Sequence, residues 1–161
     1  MAVLDANEIM FRAFEPKVSN RFVMYFDDIP SFMVKTASAP SFTDEVIKLD
    51  HINSYRKIRG KREWDAIDIT LYDPITPSGA QAVMEWARTS YESVTGRAGY
   101  SDNYKKDVTL NQLGPAGDIV GEWIIKGAFI ESADFGDYDW SSSDVAELSV
   151  TMAMDYCILN Y

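Results

Sequence analysis

An alternation of apolar and polar residues with a period of two runs through most of the chain and constrains its fold more than any other feature. Near the C terminus, the segment VAELSVTMAMDYCILN places its apolar side chains on one side, namely Ala146, Leu148, Val150, Met152, Met154 and Tyr156. In the segment WDAIDITLYD, the apolar positions are Ile67, Ile69 and Leu71, and Asp68, Thr70 and Tyr72 lie between and after them. Successive side chains of a β-strand point to opposite faces, so both segments are predicted to be strands that bury one face.

Other strand patterns flank short turn-like spacers. The segments RFVMYF (21–26) and SFMVKT (31–36) surround DDIP and are predicted to form a hairpin. The segments DVTLNQL and IVGEWIIKGAFI surround GPAGD, whose glycine and proline content favours a second hairpin loop.

One helix is predicted to interrupt the strands, beginning at Thr76 with Pro77 in the first helical position and ending at Gly96. Its apolar stripe comprises Val83, Trp86 or Ala87, Tyr91 and Val94. A shorter helix is predicted at DANEIMFRAF, where Asp5 is the candidate cap and Glu8 its reciprocal partner. The predicted fold class is therefore mainly β, an antiparallel β-sandwich or partly closed barrel with one flanking α-helix.

The length of 161 residues predicts a single domain, 1–161, with a core large enough to need no disulfide. The lone Cys157 and the acidic start MAVLDANEIMF lack the features of a disulfide-bonded secreted protein, so we expect folding in a reducing cytoplasm. No run of about 20 apolar residues is present, and we expect no insertion into a membrane.

Charge is distributed unevenly in a chain whose formal net charge is -10. The segment SYRKIRGKREW (54–64) concentrates five cationic side chains, Arg56, Lys57, Arg59, Lys61 and Arg62. After Lys126 there is no cation but seven acids, among them Asp134, Asp137, Asp139 and Asp144. The basic and acidic elements either pair within one fold or join copies of the chain through two different surfaces. The second arrangement generates rings or open filaments.

Candidate catalytic and ligand-binding patterns are sparse. His51 and Cys157 are the only histidine and cysteine, which is too few for a zinc site, and GPAGDIVG matches no phosphate-binding loop. The DFGDYDW segment lacks the ligand order of a calcium loop. Tyr55 and Trp64 flank the basic segment, but a pI near 4.5 disfavours nucleic-acid binding. We expect no enzymatic activity, no cofactor and no metal.

The order of segments resembles that of the tail tube protein of contractile-tailed bacteriophages. The similarity runs from NEIMFRAFEPKVSNRFVMYF through VKTASAPSF and RKIRGKREWDAIDITLYD to IIKGAFIESADFGDYDWSSSDVAELSVTMAMDY. The resemblance implies a subunit that closes into hexameric rings, which stack into a tube inside a contractile sheath. It further implies contacts with the tail sheath, baseplate and tail terminator proteins, a place in the virion tail after assembly in the host cytoplasm, and a channel through which phage DNA passes without specific binding.

In such tubes an extended loop or hairpin between early strands reaches the neighbouring ring, and HINSYRKIRGKREW occupies the matching place here. The basic segment is accordingly expected to contact acidic surface of another subunit, such as residues 131–147. Two alternatives remain open at this point. One is the tube protein of a tailocin or other contractile injection system, and the other is a small acidic ligand-binding or enzymatic β-domain.

Overall fold

The computed structural model describes residues 15–160, which fold into nine β-strands and two α-helices. The strands are β1 (Phe22–Tyr25), β2 (Val34–Ala37), β3 (Phe42–His51), β4 (Ser54–Trp64), β5 (Ile67–Tyr72), β6 (Lys106–Leu113), β7 (Ile119–Asp134), β8 (Glu147–Ala153) and β9 (Tyr156–Asn160). The helices are α1 (Gly79–Ser90) and α2 (Ser101–Tyr104), and a single 3-10 turn, Ser31–Met33, precedes β2. The short helix predicted at DANEIMFRAF lies outside the described residues.

Seven strands form one sheet in the order β1-β6-β7-β8-β5-β2, with β9 paired to β7, while β3 and β4 form a separate two-stranded sheet. All these pairings are antiparallel, and α1 is the main helix. The predicted fold class, mainly antiparallel β with one flanking helix, is confirmed.

Strand β7 belongs to two walls of the fold. Its first part pairs with β6 and β9, and its last part, from Phe129 onward, pairs with β8. Gly127 lies where β7 exchanges one set of partner strands for the other. Its φ is +66°, and a side chain there would collide with the carboxylate of Asp155. We call β1, β6, β9 and the first part of β7 the first wall, and β2, β5, β8 and the last part of β7 the second wall. A strand that switches sheets at a bend is a common corner of β-sandwiches.

The core lies between the two walls. Met24 and Ile125 of the first wall and Ile67, Leu71 and Met152 of the second are all fully buried members of one apolar cluster. The apolar faces predicted for β5 and for the Leu148–Met152 part of β8 are therefore confirmed. Strands β1 and β2, at opposite ends of the sheet order, contact each other, which brings the sandwich close to a closed barrel.

The predicted hairpin of residues 21–26 and 31–36 is wrong. β1 pairs with β6 and β2 pairs with β5. The connection between them buries Ile29 and Met33 in the core instead of making a tight turn, so it carries the chain from one wall to the other.

The single C-terminal strand predicted for residues 145–160 is in fact two strands. The chain leaves β8 after Ala153 and enters β9 at Tyr156, while the Asp155 N–H donates to the Lys126 carbonyl at 3.0 Å. The alternation of buried and exposed side chains shifts by one residue between β8 and β9, so Cys157 is buried and Tyr156 is exposed. Ala146, also predicted on the apolar side, is exposed because it precedes β8.

Helix α1 begins and ends inside the predicted bounds. Its cap is Ser78, whose hydroxyl accepts from the Gln81 N–H at 3.4 Å, and the Asp73 carboxylate accepts from the Gly79 N–H at 2.9 Å. Val83 and Trp86 are buried as predicted. Tyr91 and Val94 lie beyond the helix and are exposed, because the Thr89 and Ser90 hydroxyls bond carbonyls of the last turn and the chain turns extended at Tyr91.

Candidate assembly surfaces

Strands β3 and β4 form a long hairpin, which we call the arm. Its register runs from the pair Phe42 and Trp64 at the base to His51 and Ser54 at the end, where Ile52 and Asn53 make the loop. Nearly every residue of the arm is exposed, and the loop residue Ile52 is 101% exposed. The basic segment is therefore strand β4 of an element that, apart from Trp64 at its base, lies outside the buried core.

One face of the arm combines cations with aromatic rings. Arg62 donates to both oxygens of Asp44, through Nε at 2.7 Å and through its terminal nitrogen at 2.9 Å, and its guanidinium lies 3.7 Å from the centre of the Phe42 ring. Hydrogen bonding to Arg62 lowers the pKa of the Asp44 carboxyl from its ordinary value. Arg59 approaches the same carboxylate at 3.9 Å. Asp44 thus holds two of the five predicted contact cations within the arm.

The remaining cations of the basic segment are differently placed. Lys57 lies 5.7 Å from the centre of the Tyr55 ring. Arg56 and Lys61 have no ion-pair or hydrogen-bond partner for their side chains among residues 15–160. Their charged groups are available to a partner.

The opposite face of the arm carries three exposed aliphatic side chains among polar ones. Ile47 lies opposite Ile58 and Leu49 lies opposite Arg56 in the register, so these four side chains share a face. The three aliphatic side chains are 41–45% exposed. A two-stranded sheet is marginally stable alone, and an apolar face on one is typical of a contact with another protein. The sequence analysis did not identify this cluster, although the alternation of Ile47 and Leu49 in TDEVIKLD indicates apolar positions on one strand face.

The acidic loop, residues 135–146, connects β7 to β8 and forms an open concavity. Asp139 accepts from the backbone N–H and the hydroxyl of Ser141 at 2.9 and 2.8 Å, which lowers the pKa of its carboxyl. Asp144 accepts from the Ser142 hydroxyl at 2.8 Å. These bonds shape the loop, and those from Ser141 favour the charged form of Asp139.

Asp134 and Asp137 complete the predicted acidic set. Asp134, the last residue of β7, accepts from the Gly136 N–H at 3.0 Å, and Asp137 is exposed. Between them and Asp144 stand Tyr138 and Trp140, which are 87% and 107% exposed. Tyr138 and Trp140 were not among the predicted contact residues, because residues of a loop follow no periodic pattern. Fully exposed aromatic side chains are rare on isolated surfaces and enriched at interfaces.

Within the described residues, the arm cations make no ion pair with the acids of residues 131–147. Glu147 pairs instead with Lys35, and the arm pairs with its own Asp44. Pairing of the basic and acidic elements within one subunit therefore finds no support among residues 15–160. The contact between copies remains a prediction.

The candidate catalytic residues occupy unrelated places. His51 is exposed at the end of β3, whereas Cys157 is buried in β9, where burial raises the pKa of its thiol to about 11. Among residues 15–160, no group of three or more His, Cys, Asp or Glu side chains is arranged to hold a metal ion. The helices of the same residues are all too short or too polar to span a membrane.

No protein-family model matches the chain, and no curated protein sequence matches it. Solved structures do. A chain in the cryo-EM structure of the anti-feeding prophage cap, the AFP tube terminating cap, matches with a TM-score of 0.71 at 22% identity over 99% of each chain.

A chain in the cryo-EM structure of the PVC sheath-tube complex, an extracellular contractile injection system in its extended state, matches with a TM-score of 0.71 at 20% identity. That match covers 90% of this chain and 91% of the other. A chain of the native gene transfer agent virion matches with a TM-score of 0.58 at 11% identity, over 91% of this chain and all of the other. The predicted resemblance to a contractile tail tube protein is thus confirmed at the level of the fold, which this chain shares with chains of contractile injection assemblies.

Proposed function

We propose that this chain is the tube subunit of a contractile tail, which closes into hexameric rings that stack into an inner tube. The observation that carries the proposal is the arm, which has exposed aliphatic residues and two cations without a partner among residues 15–160. It extends from a fold matched along nearly its whole length by chains of tube-containing assemblies. In this role the chain is structural and catalyses no reaction.

The arm supplies the contact that joins copies. Its aliphatic residues Ile47, Leu49 and Ile58 provide apolar area, and burying exposed apolar surface drives association. Arg56 and Lys61 provide charge that selects the partner surface and its register. Because the arm and its receptor are different surfaces of the same chain, each copy offers both, and the contact repeats around a ring or along a tube.

The acidic loop of another copy is the proposed receptor for the basic segment. It presents the exposed carboxylate of Asp137 beside Tyr138 and Trp140. An arginine both pairs with a carboxylate and stacks on an aromatic ring, so Arg56 is suited to this surface. Asp134, Asp139 and Asp144 contribute to its negative potential.

The partners and the cargo follow from the kind of tail. As the tube of a phage tail, the chain contacts sheath, baseplate and tail terminator proteins, is assembled in the bacterial cytoplasm, and conducts the genome in the virion.

The second candidate is the tube of a tailocin or another contractile injection system. Its support is the TM-score of 0.71 with AFP and PVC chains, against 0.58 with the gene transfer agent virion.

Reversing the charge of Arg56 and Lys61 together to glutamate is expected to weaken polymerisation and leave the subunit folded. Neither side chain has an ion-pair partner among the described residues, so the fold loses little, while like charges then face each other in the contact. We expect the concentration for half-maximal sedimentation to rise about tenfold or more, which corresponds to about 1.4 kcal/mol per contact.

The matched control is Arg88→Glu with Arg97→Glu, which changes the net charge equally at exposed positions outside the arm. The control is expected to sediment like the parent chain, and circular dichroism checks the fold of both. Equal sedimentation of the arm variant and the parent would remove these cations from the contact.

A further inference from the structure

The two faces of the arm carry different chemical groups. Side chains of directly opposed residues in a strand pair lie on the same face, so the register sorts the arm residues into two sets. We call one side the aliphatic face, with Ile47, Leu49, Arg56 and Ile58, and the other side the cationic face, with Val46, Lys48, Tyr55, Lys57 and Arg59.

Two lysines oppose each other on the cationic face. Lys48 and Lys57 are Cα partners, and their ammonium groups lie 5.3 and 5.7 Å from the centre of the Tyr55 ring. Within residues 15–160, neither lysine has an ion-pair or hydrogen-bond partner for its side chain. Like charges directly opposite each other destabilise a strand pair, so this pair is compensated only when negative charge lies against it.

The acids of the same face do not supply that negative charge. Asp44 accepts two hydrogen bonds from Arg62 and lies 3.9 Å from Arg59. Asp50 lies opposite Tyr55 and forms no ion pair within the described part of the chain. The outer half of the cationic face therefore keeps a positive excess that another molecule has to neutralise.

A second copy of the chain fits this requirement. The formal net charge is -10, and several exposed carboxylates form no ion pair among residues 15–160, namely Asp27, Glu85, Glu92, Asp102 and Glu131. Val46 and Tyr55 are 56% and 55% exposed and add apolar area beside the lysines. Charge complementarity and exposed apolar area together favour a protein contact.

One receptor surface does not cover both faces of the arm. The faces of a two-stranded sheet point in opposite directions, so a surface packed on the aliphatic face leaves the cationic face in water. Under the proposed function, the acidic loop of one copy lies against Arg56 on the aliphatic face. Neighbouring copies in a ring stand side by side, and an element inserted between two of them has a copy on each side.

We infer that each arm bridges two other copies of the chain, one on its aliphatic face and one, through carboxylates, on its cationic face. The inference rests on the proposed function, because it needs copies arranged side by side in a ring. Once one face is bound, the second contact forms at a high effective concentration, so the two contacts reinforce each other.

Lys48→Glu separates this role from a local one within the arm. The substitution replaces repulsion by attraction across the strand pair, so the free arm is expected to be no less ordered. Assembly is nevertheless expected to require a several-fold higher concentration in sedimentation, because the substituted residue repels the carboxylates of the partner. Arg97→Glu, which changes the net charge equally outside the arm, is expected to sediment like the parent chain. Equal or better assembly of Lys48→Glu would overturn the inference.

Photo-cross-linking from both faces of one arm tests the bridge itself. p-Benzoylphenylalanine replaces Tyr55 on the cationic face and Ile58 on the aliphatic face of an affinity-tagged chain. This chain is assembled at trace level with an excess of the untagged parent, so each tagged arm lies among parent chains. After irradiation and denaturation, we expect tagged species of two chains from either single replacement and of three chains from the double replacement.

Species of only two chains from the double replacement would place both faces on one copy, and no cross-link from position 55 would leave the cationic face to solvent or to a non-protein anion. Either result overturns the inference and leaves the tube intact. Val46 and Ile47, adjacent residues on opposite faces, repeat the test if the first pair of replacements does not co-assemble. A parent chain that forms no tubes would instead overturn the proposed function, and the inference with it.

Discussion

Removing the arm is expected to abolish tube formation and leave the two-walled sandwich folded. In this variant residues 43–63 are replaced by a short glycine-containing turn that joins Phe42 to Trp64. These two residues are Cα partners in the register, and their rings pack edge to face with centres 5.3 Å apart, so a turn can close between them. None of the replaced residues belongs to the core cluster, and Trp64, which packs against the cluster, is kept, so the fold loses none of the buried apolar area of its core.

Sedimentation and electron microscopy measure the assembly of the armless variant, and its thermal unfolding is compared with that of the parent. A matched control keeps the arm and replaces only the loop residue Ile52 by serine, which removes one exposed side chain. We expect the control to assemble. Tubes of ordinary length from the armless chain would show that the contact between copies lies elsewhere.

Replacing Trp86 by alanine is expected to cause the largest loss of stability by a single substitution in α1. The Trp86 side chain is 3% exposed, packs edge to face on Phe26 with ring centres 6.4 Å apart, and donates from Nε1 to the Tyr104 carbonyl at 2.8 Å. Truncation leaves a large cavity and an unpaired carbonyl, with an expected cost of about 3–5 kcal/mol. For a domain of this size, that corresponds to a fall in Tm of about 10 °C.

The control for this prediction is Trp86→Phe, which keeps an aromatic ring against Phe26 but loses the hydrogen bond to Tyr104. We expect it to cost about 1–2 kcal/mol. Urea unfolding followed by circular dichroism measures both variants. If Trp86→Ala unfolded at the same urea concentration as the parent chain, α1 would not be part of the folding core.

The local parts of the fold could be predicted from the sequence because each depends on neighbouring residues. Ile67, Ile69 and Leu71 bury one face of β5, and GPAGD makes the turn between β6 and β7, as their patterns indicate. Strand partners could not be predicted in this way. The separation of β1 from β2 depends on burial of Ile29 and Met33 in the core, which is a long-range effect.

The candidate site was also only partly predictable from the sequence. The charge pattern identified both the basic and the acidic elements. Only the structure shows that Asp44 holds Arg62 and Arg59, and that Arg56 shares a face with the aliphatic residues Ile47, Leu49 and Ile58. A bulge near Gly60 shifts the alternation of β4, so counting by two along the sequence assigns these faces incorrectly. Trp140 gives no periodic signal, because it lies in a loop.

Electron microscopy of the purified, concentrated chain shows whether copies assemble into a tube. We expect rings with six-fold symmetry in end views and tubes of stacked rings in side views. Light scattering on the same sample should rise with protein concentration and fall with added salt, because charged groups contribute to the contact. A chain that remains monomeric at high concentration and low salt, with no rings on the grid, would show that it is not a tube subunit.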